Sequence, residues 1–218
     1  MKYDGVFFDL DGTVIDSLQN ITDAVNYTMR HFGMAEYSAA ELRPVLGNGV
    51  GVLMCKIMPP DIADTRIQQL LDFYRPYYAR HSTECGPFEG ILPMLERLKS
   101  AGLVLAIISN KPDSAVQPLG ERYFKDYVRL YVGEREDVRR KPWPDMLEKA
   151  AEALHVDLSR CLYVGDSEVD IDTANNAGID CACVTWGFRT RQELIDAGAR
   201  IILDTPEALA AFVLGTDA

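Results

Sequence analysis

The chain has 218 residues and a net charge of −11, with 48% hydrophobic and 25% charged residues, a composition typical of a soluble globular protein. The acidic balance and the lack of a Lys/Arg run argue against nucleic-acid binding, and no apolar stretch approaches the roughly 20 residues needed to cross a membrane. The first apolar run begins within a few residues of Met1 and the five cysteines are scattered, so we expect no signal peptide and a cytoplasmic location.

The first predicted element is a buried strand that ends in charge. Residues 5–10 contain consecutive aliphatic and aromatic side chains, the pattern of a parallel strand covered on both faces. Asp9 and Asp11 come at its end and are followed by Gly12 and Thr13. Because buried carboxylates are costly without a partner, this strand end is a candidate functional site, and period two would point Asp9 and Asp11 the same way if the strand continues.

The next stretch is helical throughout. Apolar periodicity and a capping box at Ser38 and Glu41 predict helices over 18–32, from 39, over 49–58 and over 62–81. Tyr74 and Tyr78, four residues apart, are predicted to pack within this group of helices. We therefore predict a helical cap domain over 17–85, inserted into a core domain formed by 1–16 and 86–218.

From residue 92 onward, strands and helices alternate. Strands are predicted at 103–109, 128–132, 161–164, 181–185 and 200–203, and helices at 92–101, 144–154 and 169–177. This alternation is typical of βαβ units with right-handed crossovers. The predicted fold class is α/β, a Rossmann-like parallel sheet with helices on both faces plus the all-helical insertion. Residues 215–218 are predicted to form a frayed tail.

Polar residues collect at the predicted carboxyl ends of the strands. Ser109, Asn110 and Lys111 follow the second core strand, Lys141 precedes a helix, and Gly165-Asp166-Ser167-Glu168-Val169-Asp170 follows the fourth, with Asp166 and Asp170 spaced to share a helical face. Ligands bind at this edge of such sheets. Two carboxylates 4 Å apart repel by about 4 kcal/mol at an effective dielectric of 20, and a hard cation such as Mg²⁺, which prefers oxygen ligands, would remove this cost. Each motif taken alone is also common in turns and helix caps.

In this order the segments resemble the four motifs of the haloacid dehalogenase-like superfamily with a type 1 cap. Asp9-Leu10-Asp11-Gly12-Thr13 is similar to the first motif, Ser109-Asn110 to the second, Lys141 to the third and residues 165–170 to the fourth. The helical insertion occupies the position of the type 1 cap. The resemblance thus covers nearly the whole chain.

The resemblance implies a Mg²⁺-dependent phosphomonoester hydrolase that works through an aspartyl-phosphate. Asp9 would be the nucleophile and Asp11 the general acid/base. Phosphoryl oxygens would be bound by Ser109, Asn110 and Lys141, and Lys141 would also offset charge on Asp9. Mg²⁺ would be held by Asp9, the main-chain carbonyl of Asp11 and Asp166, with Asp170 in a supporting role.

Within the superfamily, Gly47-Asn48-Gly49-Val50-Gly51, Ser109-Asn110-Lys111-Pro112 and Trp186-Gly187-Phe188 resemble phosphoglycolate phosphatases, which implies 2-phosphoglycolate as substrate. Asp11 argues against the dehalogenase branch, since a leaving halide needs no proton. Arg43, Asn48 and Lys56 are predicted cap contacts to the substrate, although a solvated surface cation is the simpler interpretation of either Arg43 or Lys56 alone.

Three alternatives stay open at this point. They are a sugar phosphomutase similar to β-phosphoglucomutase, a phosphatase of another small metabolite, and a non-catalytic protein that binds a phosphate ligand. The expected partner is a small phosphomonoester, with no nucleic acid and no membrane, and the chain is expected to be a monomer or a homodimer.

Overall fold

The computed structural model describes residues 2–216. Its centre is a parallel sheet of six strands: β1 (Gly5–Phe8), β4 (Val104–Pro112), β5 (Leu130–Glu134), β6 (Cys161–Gly165), β7 (Asp180–Val184) and β8 (Ile201–Leu203). The strand order is β5-β4-β1-β6-β7-β8, and every neighbouring pair is parallel. The predicted α/β class is confirmed. Residues 1, 217 and 218 lie outside the described range. They belong to the predicted core domain, and the last two also belong to the predicted tail.

Helices cover both faces of this sheet, as residues of β1 demonstrate. Val6 and Phe8 pack into one apolar cluster together with residues of α5 (Ile91–Ser100) and α10 (Pro206–Leu214). Phe7, which points the other way, packs into a second cluster with α7 (Asp145–Leu154). The alternation of side chains along a strand thus explains why all four residues of β1 are apolar or glycine and fully buried.

The remaining core helices are α6 (Asp113–Leu119), α8 (Glu168–Ala177) and α9 (Arg191–Asp196). The sequence patterns give no bounds for α6, α9 or α10. α9 is short and begins with a capping box at Thr190 and Glu193, and α10 has Thr205 as its N-cap. These caps were the available signals. Within the described residues no helix has the length and apolar character that spanning a bilayer requires.

The helical insertion consists of α1 (Leu18–His31), α2 (Ala39–Leu42), α3 (Gly49–Ile57) and α4 (Asp64–His81). Their apolar faces form a cluster of their own, which also takes in Ala115 and Phe188 from outside the insertion. Two short strands that the sequence did not predict, β2 (Ile15–Asp16) and β3 (Gly86–Pro87), pair antiparallel where the chain enters and leaves the insertion. The division into 1–16 and 86–218 against 17–85 stays a prediction.

Candidate active site

A buried cluster of opposite charges lies where β1 and β6 end. The main-chain N–H of Asp9 continues the sheet by donating to the carbonyl of Val164 (2.8 Å). Lys141 Nζ lies 2.8 Å from Asp9 Oδ1 and 2.8 Å from Asp170 Oδ1, and it donates to the Tyr163 hydroxyl at 3.0 Å. All of these side chains are buried. Lys141 therefore joins the strand end to the first turn of α8.

Asp170 anchors the loop that precedes α8. Its Oδ2 accepts hydrogen bonds from the main-chain N–H of Asp166 (3.2 Å) and of Ser167 (3.1 Å), and from Ser167 Oγ (2.7 Å). Ser167 and Asp170 form a capping box, so Asp166 precedes the helix and does not share a helical face with Asp170 as the spacing suggested. Both oxygens of Asp170 are engaged by other residues of the chain.

Asp166 is held from two sides. Thr13 Oγ1 donates to its Oδ1 (3.1 Å) and the main-chain N–H of Phe188 donates to its Oδ2 (2.6 Å). Gly12 and Gly187 pack directly on this carboxylate: a Cβ at Gly12, where φ is +83°, would lie 2.5 Å from Asp166 Oδ2, and one at Gly187 would lie 2.4 Å from Asp166 Cβ. Glycine at these positions lets two loops enclose Asp166.

Asp11 points to a different cation from Asp9. The chain turns after Leu10, whose carbonyl accepts from the N–H groups of residues 13, 14 and 15. Asp11 Oδ1 lies 2.8 Å from Nζ of Lys111, which also donates to the hydroxyl of Tyr78 on α4. β1 ends at Phe8, so the condition under which Asp9 and Asp11 would point the same way, a strand that continues to Asp11, is not met.

Ser109 and Asn110 lie in the last part of β4. Asn110 accepts from the main-chain N–H of Lys141 (2.9 Å) and donates to its carbonyl (3.1 Å), so its side chain fixes the segment that carries Lys141. Ser109 Oγ accepts from the main-chain N–H of Lys111 (3.2 Å), and its own proton remains available to a ligand. Both residues line the same cavity as Asp9 and Asp11.

Burial raises the pKa of two carboxylates in the cluster, Asp9 and Asp166. It raises the pKa of Asp9 to about 7, against the opposing effect of Lys141. Burial, reinforced by Asp170 and Asp9, raises the pKa of Asp166 well above its usual range. Burial also works against the charge of Lys141, but Asp170 and Asp9 outweigh it and raise the pKa of that ammonium well above its usual range. The positive charge near Asp9 and Asp166 is thus too small to offset the effect of their burial.

A divalent cation fits this cluster. When ionised, Asp9, Asp11, Asp166 and Asp170 carry four negative charges, whereas the two buried ammonium groups supply two positive ones. One oxygen each of Asp9, Asp166 and Asp170 lies within 4.8 Å of the other two. Asp9 Oδ1 is buried, and among the described residues it has the ion pair with Lys141 but no hydrogen-bond partner. These hard oxygen donors suit Mg²⁺ in chemistry and charge.

Above the cluster is a cavity whose empty space, including the part open to solvent, amounts to about 560 Å³. The sheet side contributes Asp9, Asp11, Ser109, Asn110 and Lys111, and the helical insertion contributes mostly apolar residues: Ile21, Leu46, Gly47, Gly49, Val50, Leu53, Tyr74 and Tyr78. Pro112 and Phe188 complete the lining.

The three residues predicted to contact substrate from the insertion do not line this cavity. Arg43 donates to the carbonyl of Gly187 (3.2 Å), Asn48 is the N-cap of α3, and Lys56 is exposed in the last turn of α3. The spacing of charges along the insertion did not reveal which helix faces turn toward the core. Tyr74 and Tyr78, predicted only to pack within the insertion, are cavity residues instead.

Lys111 and Thr13 are two polar site residues whose roles the sequence patterns missed. Lys111 directly follows the second motif and Thr13 belongs to the first, so their positions were available signals. The contribution of Gly187 and the Phe188 N–H was not visible locally, because the loop after β7 reaches Asp166 only in the folded chain.

Comparison with known proteins places this geometry in a family. The model of the haloacid dehalogenase-like hydrolases matches residues 6–184. The chain belongs to the haloacid dehalogenase-like hydrolase family. The predicted resemblance is confirmed, and with it the assignment of the chain as an enzyme, a phosphatase of this family.

Relatives of similar length share the sequence and the fold. A phosphoglycolate phosphatase of Xanthomonas campestris is 34% identical over 185 residues, 84% of either chain. Phosphoglycolate phosphatase 1 of Pseudomonas aeruginosa is 29% identical over 91% of this chain and 75% of its own. A crystal structure from Lactobacillus delbrueckii subsp. bulgaricus, provisionally named a phosphoglycolate phosphatase, superposes with a TM-score of 0.95 at 35% identity and covers 99% of this chain and 100% of its own.

Proposed function

We propose that the protein is a Mg²⁺-dependent phosphomonoester hydrolase that forms an aspartyl-phosphate on Asp9 and acts on 2-phosphoglycolate. The observation that carries this proposal is the buried Asp9 carboxylate, which lines a cavity also lined by Asp11 and Ser109 and whose Oδ1 has no hydrogen-bond partner within residues 2–216. A nucleophile and a general acid thus reach one ligand space from different directions.

In the first half-reaction a carboxylate oxygen of Asp9 attacks phosphorus and the bond from phosphorus to the ester oxygen breaks. Asp11 donates its proton to that oxygen, which leaves as an alcohol. In the second half-reaction Asp11 takes a proton from water, the water oxygen bonds to phosphorus, and Asp9 is released with free phosphate. Lys111, 2.8 Å from Asp11 Oδ1, holds the carboxylate in place.

Ser109 Oγ and Lys141 are the candidates for binding phosphoryl oxygens and offsetting their charge. Asn110 supports Lys141 through both of its side-chain hydrogen bonds to the main chain of that residue. Asp170 holds the Lys141 ammonium from the opposite side (2.8 Å).

Mg²⁺ would be held by Asp9, Asp166 and the main-chain carbonyl of Asp11, and when bound it would offset the charge of the nucleophile and of the phosphoryl group. Each oxygen of Asp166 accepts one hydrogen bond and keeps a further lone pair for a ligand. Thr13 and the Phe188 N–H orient the carboxylate for this purpose.

The helical insertion acts as a cap in this proposal. Arg189, buried and paired with Glu168, donates to the carbonyls of Arg43 (3.1 Å) and Leu46 (2.9 Å). Arg43 returns a hydrogen bond to the carbonyl of Gly187 (3.2 Å). These reciprocal bonds hold the insertion over the cavity, which would exclude bulk water during the reaction.

The test is phosphate release from a panel containing 2-phosphoglycolate, β-glucose 1-phosphate and other small phosphomonoesters, with Mg²⁺ or with EDTA. Asp9→Asn is the critical variant, and Asp172→Asn, which removes an exposed carboxylate from α8, is the matched control. We expect Mg²⁺-dependent release that is fastest with 2-phosphoglycolate, lost in Asp9→Asn and retained in Asp172→Asn.

Other outcomes separate the alternatives. Release from other esters alone would keep the chemistry and reject the substrate. Conversion of β-glucose 1-phosphate to the 6-phosphate without release would favour a phosphomutase. Tight ligand binding with no turnover of any ester would favour the non-catalytic binding protein.

A further inference from the structure

Lys111 is a buried cation in the wall of the cavity. Its side chain is 2% exposed, its Nζ lies 2.8 Å from Asp11 Oδ1, and it donates to the hydroxyl of Tyr78. The ammonium also lies 4.7 Å from the centre of the Tyr78 ring. An ammonium has three N–H donors, and these two partners account for two of them.

Among the residues that the structure describes, Lys111 carries the one cationic side chain of the lining. Lys141 is engaged by Asp9, Asp170 and Tyr163. The opposite wall consists largely of apolar side chains such as Ile21 and Leu53. In the proposed function Lys141 and Mg²⁺ serve the phosphoryl group, so a second anionic group that enters this space and loses its water has Lys111 as its cationic partner.

Tyr78 fixes the ammonium in position. It stacks on Tyr74, with 5.2 Å between the ring centres, and both rings are buried in the wall formed by α4. Burial raises the pKa of Tyr78 well above its usual range, so its hydroxyl stays neutral and accepts from Lys111. The long lysine side chain is thus held before any ligand binds, which lowers the entropic cost of recognition.

We propose that Lys111 binds the carboxylate of the substrate, so that the site selects phosphomonoesters with a carboxylate on the carbon next to the ester oxygen. This inference rests on the proposed function, and it assigns the substrate class and the residue that recognises it. It assigns Lys111 a role separate from holding Asp11.

The distances support a short substrate. Asp11 must reach the ester oxygen with a hydrogen bond. If Asp11 Oδ1 makes this bond, Lys111 Nζ, which lies 2.8 Å from Oδ1, is within roughly 6 Å of the ester oxygen. A carboxylate on the adjacent carbon has its oxygens about 3 Å from the ester oxygen, and one further hydrogen bond reaches Nζ. A longer acid would place its carboxylate farther from the ester oxygen than this distance.

The test compares 2-phosphoglycolate with ethyl phosphate, which has a methyl group in place of the carboxylate. Initial rates give kcat/KM for both esters in the wild type, Lys111→Met, Lys111→Arg and Lys125→Met, an exposed lysine used as control. Loss of a hydrogen bond to a charged group predicts a fall of about 10- to 100-fold in the preference for 2-phosphoglycolate over ethyl phosphate in Lys111→Met. Lys111→Arg should retain part of the preference, and Lys125→Met all of it.

The ratio of kcat/KM for the two esters distinguishes recognition of the carboxylate by Lys111 from positioning of Asp11. Disturbing Asp11 slows both esters alike, so an equal loss for both in Lys111→Met would overturn the inference. A wild type with no preference for the carboxylate ester would overturn it without any variant.

A binding measurement distinguishes failure of this inference from failure of the proposed function. Calorimetry with the Asp9→Asn protein, with and without Lys111→Met, measures the affinity for both esters without turnover. Selective binding of 2-phosphoglycolate that depends on Lys111 would uphold the inference even if the wild type hydrolysed neither ester. Equal affinities would reject it even if both were hydrolysed.

Discussion

Replacing Lys141 by methionine tests whether the charge balance of the buried cluster stabilises the fold. The change keeps the approximate length of the side chain and leaves Asp9 and Asp170, each 2.8 Å from Nζ, without their cation. Removing one partner of a buried ion pair costs about 3–5 kcal/mol. For a chain of this size about 1 kcal/mol shifts Tm by roughly 2–4 °C, so we expect Tm to fall by about 6–20 °C.

The assay is thermal unfolding followed by circular dichroism, in EDTA and then with Mg²⁺. Lys149→Met is the matched control, because Lys149 is 56% exposed and its Nζ is 3.8 Å from the Asp137 carboxylate; such exposed pairs contribute about 0–1 kcal/mol. Adding Asp9→Asn to Lys141→Met should recover part of the lost stability, since one uncompensated carboxylate is then removed. If Lys141→Met unfolds at the temperature of the Lys149→Met control, the reasoning from charge balance is refuted.

Two further predictions concern Asp9 and the glycines around Asp166. Burial raises the pKa of Asp9 to about 7 in the native protein, whereas in the unfolded chain this carboxyl loses its proton near pH 4. In EDTA, the free energy of unfolding should therefore fall as the pH rises from about 4 to 7, by at most about 4 kcal/mol. The Asp9→Asn protein does not lose this stability, so it should unfold at a higher urea concentration than the wild type at pH 8, and the difference should shrink toward pH 4. Equal midpoints of urea unfolding at pH 8 would contradict this prediction. Gly187→Ala would place Cβ 2.3 Å from the carbonyl oxygen of Gly12 and should abolish Mg²⁺-dependent turnover and lower Tm. Gly51→Ala, whose Cβ meets nothing within 4 Å, should leave turnover unchanged and raise Tm slightly; similar behaviour of the two variants would show that the packing on Asp166 is tolerant.

Much of the site geometry depends on residues that support others. Asn110 holds the main chain of Lys141, Asp170 holds its ammonium, and Thr13 holds Asp166. Each of these bonds joins segments distant in sequence. The cluster therefore forms only when the sheet has brought the ends of β1, β4 and β6 together.

The local patterns were informative about the core elements for simple reasons. Strands buried on both faces consist of consecutive apolar residues, as in β1 and β6, and this pattern is readable without tertiary information. Boundaries were less accurate: β5 (Leu130–Glu134) begins two residues later than the predicted 128–132. Such ends are decided by which main-chain groups meet a partner strand, and no local pattern records that.

The sequence by itself determined the fold class and the family, and it showed that carboxylates follow the buried strands. It could do so because buried strands and turn residues leave strong local patterns. Only the tertiary structure decided that Asp11 pairs with Lys111 while Asp9 pairs with Lys141, and that Tyr74 and Tyr78, rather than Arg43, Asn48 and Lys56, line the cavity. Which face of an inserted helix meets the core depends on how two apolar surfaces pack, and residue spacing along one helix does not contain that information.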